Sequence, residues 1–456
     1  MVDLAVSDTE RATLILRYAD VGIATYASLR VVGQPSRTVN WVIEEPLLLA
    51  ALEELANALP EPHGSESPRD AIERALTTGP FATAESELTL AYILGVLLIG
   101  SAGWQLLAEC VDTPRAALFV SPSARLARVP WGLLAVPKSG PSKEELVRAR
   151  QEAITASGRA AARIPWQLAD IGKHTDGYRL MELVDVLMAV PPNIVHSPRA
   201  PAGWDARKDG PPLLVLDPRV PGQRPDSALG SVLGRPAPDT PLARHFTGVL
   251  EQRPVLPAIE SPAAAVELFR RQDADRTWLA KLLAQTPSRL LYVGHASSAD
   301  GQADRAALHL ADTAGVPGDA DAIGDHRPLT ASDLMALQLP MPPRVALLAC
   351  GSGGDYQFDE ASGLVAAMIL GGAQLVTATL WSLPTTAAYR QFTTATADPM
   401  ADVVAAVDHA HGAEGDAGCA VNRWQREQMR RWRDGEATAS PLYWGAVVSF
   451  AVDGAR

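Results

Sequence analysis

Residues 289–297, RLLYVGHAS, and residues 344–353, RVALLACGSG, decide the reading of this chain. Each opens as a short apolar run, and each run stops at a reactive side chain: His295 after Leu290–Gly294, and Cys350 after Val345–Ala349. Runs of this length, rich in Val and Leu and without polar alternation, fit strands buried on both faces of a parallel sheet. PPLLVLDP (211–218), AQLVTATLW (373–381) and YWGAVVSFAV (443–452) have the same character. Helical stretches separate them: PAAAVELFRRQDADRTWLAKLLAQ (262–285), ASDLMALQL (331–339) behind a Thr330 cap, and EASGLVAAMILGG (360–372). This alternation predicts an α/β fold of three layers, with a mainly parallel sheet between two helical layers.

In such a sheet, ligands and catalytic groups gather beyond the carboxyl ends of the strands. If the strands before His295 and Cys350 are neighbours about 5 Å apart, imidazole and thiol meet at one sheet edge as a Cys–His dyad. The connection between them exceeds forty residues, enough for the crossover that parallel strands need. A free thiol has a pKa of about 8.5, so Cys350 needs the neighbouring base to become a thiolate at neutral pH. Backbone N–H groups of Ala296 and Cys350 at the same strand ends are candidates for an oxyanion site.

Outward from this pair, the stretch from His196 to Pro225 is dense in Pro, Gly and charge, and marks the boundary between a first half (1–200) and a second (211–456). In the first half, residues 12–32 read as a hairpin, 44–59 as a helix and 115–122 as a buried strand. PSKEELVRARQEA (141–153) begins a helical insertion, with Ser142 and Glu145 at capping-box spacing. Leu88–Ala108 carries no charge and has the length of a membrane span, but acidic flanks (Glu85, Glu87, Glu109) and three glycines favour a buried helix. No repeat of helical-array period is present.

The chain has 456 residues, 47% hydrophobic and 20% charged, so it can bury a large core. Its formal charge of −12 argues against tracking a nucleic-acid backbone. Cys110, Cys350 and Cys419 form no Cys-x-x-Cys pair, which points away from a disulfide framework or zinc ribbon and toward a reducing cytoplasm. The first twenty residues lack a signal peptide's basic and apolar regions, so no export and no membrane attachment are expected.

At this point the chain resembles the CHAT family, which belongs with caspases and separase. LLYVGHAS matches the family's strand ending in His, and LHLAD (308–312) and PLTASDLMAL (328–337) match the segments that follow. Ala349–Cys350–Gly351–Ser352–Gly353 is similar to its Ala-Cys-x-Ser/Thr-Gly. The helix, turn and Leu-Trp strand recur at 360–381, the closing strand at 441–450, and the Pro-x-x-x-Leu-x-x-x-Pro-Trp element in LFVSPSARLARVPWGLL (118–134). The His–Cys interval of 55 residues (350 − 295) is near that of caspases.

The resemblance implies a caspase-like cysteine endopeptidase, preceded by an inactive caspase-like half. It implies a protein substrate, no cofactor, and a role in regulated proteolysis such as a bacterial defence or signalling system. Three departures stand out: Ala296 where the family has Gly, Ser297 after it, and Pro384–Thr385 in place of an acidic pair. A scaffold made inactive at Ala296 is the rival from another class.

Asp355, Asp359 and Glu360 are candidates for a pocket taking a basic side chain, beside their plain reading as loop and first-turn charges. Trp381 and Ser382 are candidates for a pocket wall and a pairing edge for an extended substrate. Gly351–Gly354 could suggest a phosphate cradle, but no Gly-Lys-Ser/Thr follows and Tyr356 stands at the third glycine of a dinucleotide fingerprint. His409 and His411 are two apart on a helix and point to different faces, so no metal is expected there. NRWQREQMRRWR (422–433) reads as a helix with a buried Trp face and solvated arginines. The glycines and charges of 351–360, directly after the nucleophile, cannot order themselves, which calls for a separate activator protein.

Overall fold

The computed structural model describes residues 11–111, 115–138, 147–148, 151, 154–155, 170–190, 192–195, 203–224, 227, 229–297, 303–349, 363–393 and 397–452. Cys350, the segment holding Asp355, Asp359 and Glu360, and most of the helix expected over 141–153 lie outside the described residues. The chain divides into two compact units. Unit 1 comprises Met1–Asn57, Thr83–Ser123 and Pro130–Ala189; unit 2 comprises Ala58–Ala82, Ala124–Val129 and Val190–Arg456.

In unit 1 the expected hairpin is β1 (Thr13–Asp20) and β2 (Ala24–Val31), turning at Gly22 with φ +75°. A strand the sequence does not announce follows, β3 (Gln34–Glu44), antiparallel to β2. Its outer positions are polar, so its only inward signal is weak alternation. α1 (Glu45–Ala58) comes next, then α2 (Ala84–Leu98) and α3 (Ser101–Ala108). The last two replace the single apolar helix expected over 88–108 and are bent by 99° at their junction. Trp41 explains the bend: its indole donates to the Leu98 carbonyl (3.0 Å), and a Cβ on Gly100 or Gly103 would approach its ring to 3.0 or 3.1 Å. Among the described residues, no single helix is long and apolar enough to cross a membrane. β4 (Ala117–Ser121) pairs parallel with β1, and β7 (Asp185–Ala189) parallel with β4. Between them β5 (Ala135–Pro137) and β6 (Thr175–Arg179) form a small antiparallel pair. Glu87 and Arg179 make a buried ion pair at 2.7 Å.

In unit 2, β8 (Leu213–Leu216), β9 (Arg289–Val293), β13 (Arg344–Leu348) and β14 (Leu375–Thr379) run parallel in the order 8-9-13-14, and β15 (Val447–Ala451) closes on β14 antiparallel. Every residue of β8, β9, β13 and β14 is buried, so both faces are covered, as the unbroken apolar runs predict. The free edge of β8 is blunted by single bridges to Leu256 and Phe269. α4 (Pro241–Gln252), N-capped by Thr240, was not expected from the sequence. The helix expected over 262–285 is instead a short 3₁₀ segment (Pro262–Leu268) and α5 (Arg276–Leu283). Arg270, at φ +55°, breaks it, and Asp275 caps the second piece by accepting from Trp278 N.

β10 (Ala296–Ser297), β11 (Ala307–Leu308) and β12 (Leu329–Thr330) form a small antiparallel sheet beyond β9. α6 (Ala331–Leu337) starts at Thr330, whose hydroxyl accepts from Asp333 N (2.9 Å), the cap the sequence predicts. α7 (Leu364–Leu370) packs on β14 with α6 beside it, while α8 (Pro399–Gly412) packs on β9 and β13, flanked by α4 and α9 (Ala417–Arg433). On α9, Trp432 is buried and Trp424 half-buried, with Arg423, Arg430 and Arg433 exposed.

Candidate active site

Three neighbouring strands deliver their ends to one edge. Leu216 of β8, Val293 of β9 and Leu348 of β13 are level in the parallel register. The next residues are therefore Asp217, then Gly294 and His295, then Ala349, and the chain enters Cys350 beyond the described residues. Gly294 is required sterically: a Cβ there would sit 2.7 Å from the Tyr292 hydroxyl and 3.3 Å from Pro218.

His295 is held through both its ring and its backbone. Its Nε2 lies 3.1 Å from the Gly230 carbonyl oxygen. A carbonyl only accepts, so Nε2 carries the proton and Nδ1 is left as the basic nitrogen. The backbone carbonyl of His295 accepts from the Tyr292 hydroxyl (2.7 Å) and from His309 N (3.1 Å). Burial lowers the pKa of His295 below the ordinary imidazole range; the Gly230 bond and Asp217 oppose that shift, and Arg270 adds to it. The ring is thus neutral at pH 7 and competent as a base.

Gly230 owes its place to Asp217. This carboxylate is fully buried and accepts from Ser231 Oγ (2.6 Å), Val232 N (3.1 Å), Leu233 N (3.3 Å) and Arg270 Nη1 (3.2 Å). Arg270 Nη1 also donates to the Gly230 carbonyl (3.0 Å). Both Asp217 and Arg270 have left-handed backbone, at φ +50° and +55°. Few non-glycine residues adopt it, and the strain is tolerated where surrounding bonds enforce it.

On the other side of His295 runs a hydrogen-bonded chain. His326 Nδ1 lies 2.9 Å from the Asp312 carbonyl, His309 Nδ1 lies 3.0 Å from His326 Nε2, and Ser297 Oγ lies 3.1 Å from His309 Nε2. The carbonyl accepts, so His326 Nδ1–H donates to it, His309 Nδ1–H donates to His326, and the Ser297 hydroxyl donates to His309. Burial, then His326 and His295, push His309 down to about 3, so the chain is neutral. It fixes β10 and β11, and with them Ala296, which is half-buried beside His295.

On the side that leads to Cys350, the Ala349 carbonyl accepts from the Thr379 hydroxyl. Trp381, one strand over, is fully buried; its indole donates to the Leu442 carbonyl (2.9 Å) and its ring centroid lies 6.1 Å from that of Phe81. Ser382 N donates to Glu61 Oε1 (3.0 Å). Burial raises the Glu61 carboxyl, against the Ser382 bond and Arg128. Its Oε2 is buried without a hydrogen-bond partner among the described residues.

Asp217, Arg270 and Gly230 are functional candidates that the sequence reading did not single out, and Tyr292 and His309 lie inside the LLYVGHAS and LHLAD stretches without having been given a role. Asp217 alone had a signal, an acid directly ending an apolar strand in step with the one before His295. Among the described residues, no group of three or more His, Cys, Asp or Glu side chains could hold a metal ion. His411 is buried and His409 exposed, on different faces of α8.

Comparison with known proteins completes the description. No curated protein matches the chain. Two solved structures of the separase–securin complex of Saccharomyces cerevisiae are similar in fold. One has 10% identity over 97% of this chain, with a TM-score of 0.43. The other has 11% identity over 96%, with a TM-score of 0.39. The chain spans about 30% of the length of those separase chains. The CHAT domain family matches residues 99–454, a span that takes in all of the strand ends of unit 2 and the loop that holds His295, and the chain therefore belongs to the CHAT domain family.

Proposed function

We propose that the chain is a caspase-like cysteine endopeptidase in which Cys350 is the nucleophile and His295 the general base. The observation that carries this reading is the fixed tautomer of His295, whose Nε2–H is committed to the loop carbonyl of Gly230 while His295 itself follows β9, the strand paired directly with the one leading to Cys350. Nδ1 takes the thiol proton, and the thiolate attacks the scissile carbonyl carbon. Backbone N–H groups of Ala296 and Cys350 receive the oxyanion. As the C–N bond breaks, Nδ1–H protonates the leaving amine, and a water deprotonated by the same nitrogen then releases the acyl group from sulfur. Asp217 with Arg270 keeps the Gly230 carbonyl in place through these transfers. Asp355, Asp359 or Glu360 receives a basic substrate side chain, and Ser382 bounds the substrate groove from the neighbouring strand; Trp381, expected from the sequence as a pocket wall, is fully buried and only backs that strand.

The N-terminal half, about residues 1–200, is its inactive caspase-like partner, and a separate activator protein of a defence or signalling system orders the segment after Cys350. The bond from Ser382 N–H to Glu61 supports such latency, because an N–H already committed is not open to a substrate strand. Labelling with a thiol-reactive peptidyl probe tests the assignment. Cys350→Ala and His295→Ala should each lose labelling and turnover by about a thousandfold or more, and the double variant should be no worse. Near-normal turnover in either single variant would remove the dyad.

A further inference from the structure

The end of the unit 2 sheet remote from His295 holds a pocket that peptide hydrolysis does not use. It has a volume of about 290 Å³ and is lined by His245, Gly248 and Arg253 from α4 and its cap, Asp408 and Gly412 from α8, and Arg289, which starts β9. Arg289 and His295 lie six residues apart along an extended segment, which separates the two places by about 20 Å.

Arg289 is only 4% exposed. Its Nε and Nη2 donate to Asp408 Oδ1 (3.2 and 2.9 Å), and His245 Nε2 lies 2.9 Å from Oδ2. Burial would raise the Asp408 carboxyl, but Arg289 and His245 outweigh it and hold it down at about 2. The remaining nitrogen, Nη1, has no hydrogen-bond partner among the described residues. One glycine leaves that guanidinium uncovered. A Cβ on Gly412 would rest 3.2 Å from Arg289 Cζ and Nη1. Gly248 stands inside a helix, where glycine is unfavourable by about 1 kcal/mol, yet a Cβ there would meet nothing within 4 Å. Packing does not explain Gly248, which stands in open space on the pocket lining.

Charge fixes the kind of ligand. Arg289 and Arg253 bring two positive charges to the lining, and Asp408 one negative charge. The ends of α4 and α8 would add partial negative charge, but Arg344 already donates to the His411 and Ala413 carbonyls at the end of α8 (3.0 and 2.8 Å). A buried guanidinium edge with a free donor recognises an oxyanion. We propose that this pocket binds a small ligand carrying a phosphate or carboxylate group, at a site separate from the peptidase centre and independent of whether that centre is active. The volume sits at the small end of ligand sites, which excludes a dinucleotide.

The test is thermal unfolding of the full chain in inorganic phosphate, in succinate and in chloride at matched ionic strength. Phosphate or succinate in large excess should raise the Tm by about 2 °C or more over chloride, and whichever does so identifies the oxyanion. Gly248→Glu places a carboxylate in the open space and favours the helix, so it should fold and lose the rise; Arg253→Gln should weaken it. Equal Tm values in all three salts would overturn the proposal. So would a rise that persists in Gly248→Glu, since that would be the general effect of an excluded salt.

Discussion

Both units contain adjoining parallel strands, but what stands at the strand ends differs. In unit 1, β4 ends at Ser121 before Pro122 and β7 at Ala189 before Val190. In unit 2, β8, β9 and β13 end before Asp217, Gly294–His295 and Ala349–Cys350. Each unit also has an acid–arginine pair whose acid is buried, with opposite consequences. Glu87–Arg179 joins α2 to β6 inside unit 1 and touches no candidate catalytic group. Asp217–Arg270 holds the loop whose carbonyl orients His295. The same interaction is structural in one place and sets a tautomer in the other; position at a strand end makes the difference.

Breaking the two pairs in parallel is the largest test of that contrast. Glu87→Gln leaves the buried Arg179 without its counter-charge and should destabilise the protein by about 3 kcal/mol; Asp217→Asn does the same to the part-buried Arg270 and should cost somewhat less. Per folded molecule, Asp217→Asn should also lower kcat about 10- to 100-fold, whereas Glu87→Gln should leave it unaltered. His295 should titrate lower in Asp217→Asn, because the opposing influence of Asp217 is gone and that of Arg270 remains. Nitrogen chemical shifts of the His295 ring report this without any substrate. If both variants lose stability and neither moves His295, Asp217 is merely structural.

A second, smaller contrast concerns acid. Burial depresses His295, His309, His326 and His411, all in unit 2, with His309 and His411 at about 3. A histidine whose folded pKa lies below its unfolded value of about 6.5 contributes stability that is complete above 6.5 and is lost as pH falls toward the folded value. The loss is about 1.4 kcal/mol per pH unit for each of His309 and His411. Between pH 6.5 and 5, amide exchange should therefore accelerate in β9 and β13 before it does in β1 and β4. His309→Gln should reduce the pH slope by one histidine's share. A slope identical to that of the wild type would reassign the acid sensitivity.

The sequence made unit 2 legible where the physics was local. Apolar runs gave β8, β9, β13, β14 and β15, and Thr330 gave the start of α6, because burial on both faces and a cap are each written within a few residues. Unit 1 was less readable. β3 hides behind polar outer positions, and the bend between α2 and α3 depends on Trp41, dozens of residues earlier. Distance in sequence also hid most of the site. Gly230 is 65 residues from His295, and Asp217 is 53 from Arg270. A carbonyl leaves no mark on a sequence at all, and Arg270 lay inside what reads as one continuous helix. Strand ends announce which side chains arrive at an edge; which partners then hold them there is decided by loops closing over long separations.

The smallest predicted effect lies at Ala296, where the family resemblance leads one to expect glycine. Ala296 pairs with Leu308 across β10 and β11, and its neighbours on both sides are tied down, His295 by Tyr292 and His309 and Ser297 by His309. Its backbone is therefore fixed by bonds that do not involve its own side chain. Replacing the methyl group by hydrogen should leave the N–H direction in place and remove only the bulk beside the proposed oxyanion site. Ala296→Gly is expected to hold or raise kcat, by less than about tenfold, which corresponds to under about 1.4 kcal/mol in the barrier. Added backbone freedom works against that gain, but the ties on both sides limit it. Pre-steady-state acylation with a chromogenic peptide ester separates the two effects. A drop in acylation rate of tenfold or more would show that the methyl group is itself needed to place the oxyanion donor, and that this CHAT chain builds its oxyanion site differently from the glycine pattern.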